Sequence, residues 1–133
     1  MATWDDVREL ALALPGVEEA TSRGSAVWRV GKLVVWDRPL RARDLEELGA
    51  DLPDRPIMGA AVADEGEKRA LIAAEPESFF TVHHFDGYAA VLVRLDVIPR
   101  DRLAEVVTDA WLAVAPKKLI AEFEAHGGTS AFS

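Results

Sequence analysis

"FFTVHHFDGYAAVLVRL", residues 79–95, decides the fold. Two runs rich in β-branched and aromatic residues flank Asp86-Gly87, and Asp-Gly between hydrophobic runs is the strongest short hairpin signal. Both runs read as strands, with Pro99 closing the second, so antiparallel pairing is expected. The stretch also gathers His83, His84, Asp86, Tyr88 and Arg94. A regular strand sends successive side chains to opposite faces. His83 and His84 therefore cannot chelate one metal, and one buried or half-buried and one exposed histidine is expected. An acid–base role beside Asp86 needs a nucleophile and an orienting partner within hydrogen-bond reach. Thr81 and Tyr88 lie nearby in sequence, but any polar hairpin supplies such neighbours.

Outward from this hairpin the punctuation is regular. "DEGEKRALIAAEP" predicts a helix stopped at Pro76. Downstream, Leu103, Val106, Val107, Ala110, Trp111 and Val114 recur at helical spacing from about Arg100. Pro116 suits the first turn of a second helix that turns Leu119, Ile120 and Phe123 inward. At the other end, "TWDDVRELALALPG" places Trp4, Val7, Leu10, Ala11 and Leu14 on one stripe. Thr3 and Asp6 form a variant capping box, and Pro15-Gly16 stops the helix. "SAVWRV" and "KLVVWDR" predict a hairpin turning at Gly31. Pro39 ends it, a short helix near Arg43 to Leu48 follows, and "IMGAAVA" is a third strand.

This order predicts an α+β fold in a single compact domain, with an antiparallel sheet built from hairpins and flanking N- and C-terminal helices. The domain is expected over residues 1–126, with 127–133 a flexible tail. A chain of 133 residues, half hydrophobic and 29% charged, can bury a core of its own. With no cysteine, disulfides and thiolate chemistry are excluded. "MATWDDVREL" carries acids where a secretory signal carries bases, and no apolar run approaches the ~20 residues of a membrane span. A cytoplasmic location is expected. Walker A, GxGxxG, GxSxG and HExxH motifs are all missing.

The charge is unevenly distributed. Residues 23–43, "RGSAVWRVGKLVVWDRPLRAR", hold Arg23, Arg29, Lys32, Arg38, Arg41 and Arg43 against the single acid Asp37. That leaves the segment at +5 within a chain of −8, so the remainder carries −13. Trp28 and Trp36 lie inside it. Guanidinium groups beside aromatics can contact phosphates and stack on bases. Equally, the tryptophans can face the core while the arginines pair with acids elsewhere.

The arrangement resembles the MmcQ/YjbR family of small bacterial proteins. The resemblance runs from about Trp4 to Glu124 and rests on three stretches: "LALALPGVEEATSRGSAVWRVGKLVVWDRPL", "LIAAEPESFFTVHHFDGYAAVLVRL" and "LAEVVTDAWLAVAPKKLIAEF". It implies a helix-flanked antiparallel sheet of frataxin-like shape. Members are labelled DNA-binding because their paired hairpins resemble a double wing, a label that argues from fold to function. The resemblance implies no catalytic residues.

A non-enzymatic binding domain is therefore expected, with DNA as a candidate partner. Trp28, Arg29, Lys32, Trp36, Arg38, Arg41 and Arg43 would form the nucleic-acid surface. The alternative is a small-molecule or protein-interaction groove between sheet and helices, lined by His84, Tyr88, Arg94 and Trp111. Neither reading calls for a cofactor, a metal or a membrane.

Overall fold

In a computed structural model, which describes residues 1–49 and 55–125, six strands form one antiparallel sheet. They are β1 (Glu18–Ser22), β2 (Ser25–Val30), β3 (Lys32–Asp37), β4 (Ile57–Ala61), β5 (Phe79–Phe80) and β6 (Ala90–Arg94), in the spatial order β1-β2-β3-β4-β6-β5. Five helices accompany it: α1 (Trp4–Leu12), α2 (Ala42–Leu48), α3 (Glu65–Ala74), α4 (Arg100–Val114) and α5 (Lys117–Ala125). The α+β class, the antiparallel pairing and the flanking terminal helices are as the sequence predicts. The tail expected over 127–133 lies outside the described residues. Among those described, no helix is long and apolar enough to cross a membrane.

α1 starts as its sequence directs. The Thr3 side chain accepts from the Asp6 N–H, and the Asp6 carboxylate accepts from the Thr3 N–H at 2.9 Å. Val7, Leu10 and Ala11 then face inward. With α4 they cover one face of the sheet, burying Trp28, Val35, Met58, Phe79, Val91 and Val93. Trp111 of α4 is fully buried in this core, its indole N–H donating to the Pro15 carbonyl at 3.0 Å. That bond ties α4 to the Pro-Gly corner after α1. Buried indole N–H groups need such partners.

The second sheet face is only partly covered. Ile57, Phe80, Val82, Phe85, Ala90 and Leu92 form a smaller cluster, with Trp36 and Leu40 against its edge. Among the described residues, no helix lies over the β1–β2–β3 half of this face.

Three local features depart from the sequence reading. First, residues 18–22 are a strand; "EEATS" is polar and almost wholly exposed, so it carries no burial pattern to read. Second, the second hairpin is wide. Only Phe79↔Val93 and Phe80↔Leu92 pair, and residues 83–85 form a 3₁₀ turn. His83 and His84 are consequently both exposed, and strand alternation does not apply to them. The buried Lys68 ammonium explains the departure: it donates to the Phe85 and Tyr88 carbonyls at 2.8 and 3.1 Å, holding the loop so that Phe85 folds onto the sheet.

Third, β3 contains a bulge. Trp28 pairs with Val35 and Arg29 with Leu33, which leaves Val34 as the extra residue. Val34 and Val35 are both fully buried in the helix-side core. The parity of β3 therefore flips, and Leu33 and Trp36 share the opposite, open face.

Candidate functional site

The open face of the first three strands carries a groove of about 430 Å³, within the range of roughly 300–1,000 Å³ typical of small-ligand sites. Val27, Leu33 and Trp36 form its floor. The floor is flat because Trp36 lies across Gly59 of the neighbouring strand, its register partner. A Cβ on Gly59 would fall 2.2 Å from the indole Cε2. Pro39, Leu40 and Phe85 supply further wall, the last delivered by the 3₁₀ turn.

Polar groups ring this apolar floor. Arg23 stands in the β1–β2 turn with φ 52°, followed by Gly24 at 82°. Two successive positive φ values match the mirror-image turns that hairpins favour. Glycine adopts such angles freely, whereas an arginine pays roughly 1–2 kcal/mol there. Arg41 enters from the residue before α2 and His84 from the 3₁₀ turn. Asp37 ends β3 at the groove's rim, but it pairs with the core residue Met58, so its side chain falls on the helix side, where it is half-buried and burial raises its pKa above the ordinary aspartate value. No donor among the described residues reaches its carboxylate.

The basic residues of the first hairpin divide by role. Arg38 is buried and pairs with the equally buried Asp44 at 3.0 Å. Its guanidinium also lies 5.3 Å from the Phe85 ring centre. It is a buried structural strut within the groove wall, and the expectation that it meets phosphate is corrected accordingly. Arg23, Arg29, Lys32, Arg41 and Arg43 are exposed, and among the described residues no carboxylate lies within ion-pair distance of any of them. Directly paired residues share a face. Arg29, opposite Leu33, thus stands on the groove side, while Lys32, opposite the core residue Val30, falls on the helix side.

Trp28 also needs correction as a stacking candidate. It is buried, stacked on Trp4 at 6.1 Å, with its N–H donated to Glu19 at 2.9 Å. It offers no free face, whereas Trp36 keeps partial exposure. The second expected groove is not assembled. Trp111 is in the helix-side core, His84 and Tyr88 are exposed on the loop beyond the sheet, and half-buried Arg94 lies 4.2 Å from the Phe80 ring centre. His84 joins the first hairpin's groove instead.

His83 is tethered rather than poised for catalysis. Its Nδ1 lies 3.1 Å from Asp86, its Nε2 3.7 Å from Glu47, and its backbone N–H donates to Glu47. The Asp86 hydrogen bond, then the charges of Glu47 and Asp86, raise its pKa. The Thr81 hydroxyl donates to the Val82 carbonyl. No group of three or more His, Cys, Asp or Glu side chains among the described residues is placed to hold a metal ion.

The YjbR family model matches residues 12–113, which spans the sheet, the groove and most of α4. The chain belongs to the YjbR family. Its relatives include the uncharacterized proteins Rv2570 of Mycobacterium tuberculosis and Mb2600 of Mycobacterium bovis, each 50% identical over 132 residues. Those alignments cover 96% of this YjbR chain and all of each relative. The fold is also that of the Deinococcus radiodurans protein DR2400, solved as a DUF419 domain. The TM-score is 0.65 at 24% identity, over 96% of this chain and 89% of that one.

Sequence reasoning missed Leu33 and Phe85 as groove residues. Regular alternation would set Leu33 and Trp36 on opposite faces; only the bulge at Val34 unites them. Phe85 depends on a loop that a buried lysine holds some 20 residues away in the chain.

Proposed function

We propose that this YjbR domain is a non-catalytic binding domain whose recognition surface is the open face of its first hairpin, and that the partner is single-stranded nucleic acid. One observation carries the reading. The cations of residues 23–43 that are exposed lack carboxylate partners among the described residues, although the chain is rich in acid, and two of them, Arg23 and Arg41, line the groove with the partly exposed Trp36. Arg23, Arg29 and Arg41 would meet phosphates, and Trp36 would take a base by stacking, an interaction worth about 1–3 kcal/mol. Lys32 and Arg43 would add long-range attraction from the flanks. A duplex suits this surface less. A net charge of −8 repels an extended polyanion beyond the contact.

Fluorescence anisotropy with a labelled 12-mer, single-stranded and duplex, tests this at two salt concentrations. Three phosphate contacts to a single strand predict a log–log slope near −2. A fourfold rise in salt should therefore weaken binding roughly 20-fold. The Arg23→Glu/Arg41→Glu variant should lose binding at both concentrations. Binding that survives this charge reversal would refute the assigned surface.

A further inference from the structure

Cations without acidic partners also occur away from the groove. Lys117 and Lys118 open α5, are exposed, and lie beyond ion-pair distance of any carboxylate among the described residues. The first turn of α5 holds no acid, and lysines are disfavoured at that end of the helix dipole. The stability of α5 therefore does not explain them. Packing sets them beside the tip of the first hairpin. A Cβ on Gly16 would fall 3.2 Å from Val30 Cγ2 and 2.7 Å from Leu119 Cδ1, so the end of β2 and the start of α5 close on one glycine. Lys32 is the register partner of the core residue Val30 and shares its helix-side face. Arg29 stands on the groove side, opposite Leu33. Its partner on β1 is Glu18, but their charged groups do not come within ion-pair distance. Between Arg29 and Lys32 the chain turns at Gly31, where a Cβ would meet nothing within 4 Å. The tip is a bare crossing with a cation on each side.

We propose that the single strand seated in the groove continues along β2 and over the hairpin tip at Gly31, where Lys32, Lys117 and Lys118 hold a second set of its phosphates. The path rests on the open face being the recognition surface. β2 runs over Ser25–Val30, a length of about 17–20 Å, so the tip meets phosphates well away from the base stacked on Trp36. Exposed Leu33 lines the stretch between, and Arg29, paired with it, hands the strand from groove to tip. Lys32 thereby becomes a contact rather than a flanking charge. Contacts to phosphate position a strand without reading its sequence, so the tip adds affinity and length dependence but no base preference.

Anisotropy of the full chain with the single-stranded 12-mer tests the path by counting contacts. Three groove contacts alone account for a log–log slope near −2; three more at the tip steepen it to about −4. A fourfold rise in salt then weakens binding roughly 250-fold, beyond the roughly 20-fold that the groove supplies by itself. Lys117→Gln/Lys118→Gln should return the slope to about −3, with a thermal midpoint close to or above wild type. Arg69→Glu, on α3, lowers the net charge by the same amount and should leave the slope as in wild type. A wild-type slope near −2, or a slope that the lysine variant leaves unchanged, would overturn the extension. If Arg23→Glu/Arg41→Glu abolishes binding while the lysine variant keeps the wild-type slope, the groove stands and the extension falls. If the lysine variant alone weakens binding, the tip stands and the groove reading falls. If the 12-mer does not bind at all, both fall.

Discussion

Gly59→Ala should damage the stability and the groove together. The added methyl would sit 2.2 Å from Trp36 Cε2 and 2.5 Å from Cζ2 and Nε1. Non-bonded carbons rest at about 3.5–4.0 Å, so the indole must rise by more than about 1 Å or β3 and β4 must spread. The indole is rigid and the methyl is fixed to backbone, so neither yields cheaply. Overpacking of this kind costs about 1–3 kcal/mol. For a chain of this size that corresponds to a fall in Tm of roughly 4–12 °C. Thermal unfolding followed by circular dichroism reads the loss. Tryptophan emission reads the displacement of Trp36, and oligonucleotide affinity should fall in step. Gly66→Ala is the control: it lies in the first turn of α3 and meets only a side-chain oxygen of Asp64, at 3.2 Å. A Gly59→Ala protein with unchanged Tm and emission would show that Trp36 does not lie on Gly59, and the flat groove floor would be lost with it.

Two further perturbations probe what surrounds the site. Asp44→Ala strands the buried Arg38 guanidinium and removes the acceptor of the Arg41 N–H; it should destabilise by about 3–5 kcal/mol. Replacing the pair together, as Arg38→Met/Asp44→Leu, should cost less than the single change in urea denaturation. In the acid range, Glu75 is held below its ordinary value of 4.5 by hydrogen bonds from Arg102 at 2.7–3.2 Å. A depressed carboxylate contributes stability above its unfolded pKa and loses it as pH falls through the folded value. Denaturation midpoints should thus drop below about pH 4.5, and Glu75→Gln should flatten that limb.

The fold was largely legible because its signals are local. Thr3 and Asp6 mark a helix start, and Pro15-Gly16 its stop. The i, i+3, i+4 run from Leu103 to Val114 announces α4, and the turn at Gly31 announces the first hairpin. The site was less legible because its geometry depends on contacts between distant segments. Residues 23–43 revealed the charge excess, but not that Arg38 would be consumed by Asp44 or that Trp28 would be buried against Trp4. Those outcomes depend on α2 and α1. Similarly, "VHHF" has strand-like composition, and only Lys68 explains why it turns instead. The polar β1 is a strand because β2 pairs with it along its whole length.

The central claim is that Trp36 is the tryptophan that meets the ligand, and the four indole N–H signals can report on it separately. Trp28 and Trp111 have theirs bound to Glu19 and the Pro15 carbonyl, on the far side of the sheet. In a ¹⁵N–¹H NMR titration with the single-stranded 12-mer, the Trp36 signal, assigned through Trp36→Phe, should shift progressively and saturably. The Trp28 and Trp111 signals should stay in place. Shifts confined to Trp4, Trp28 or Trp111, with Trp36 unmoved at saturation, would contradict the account.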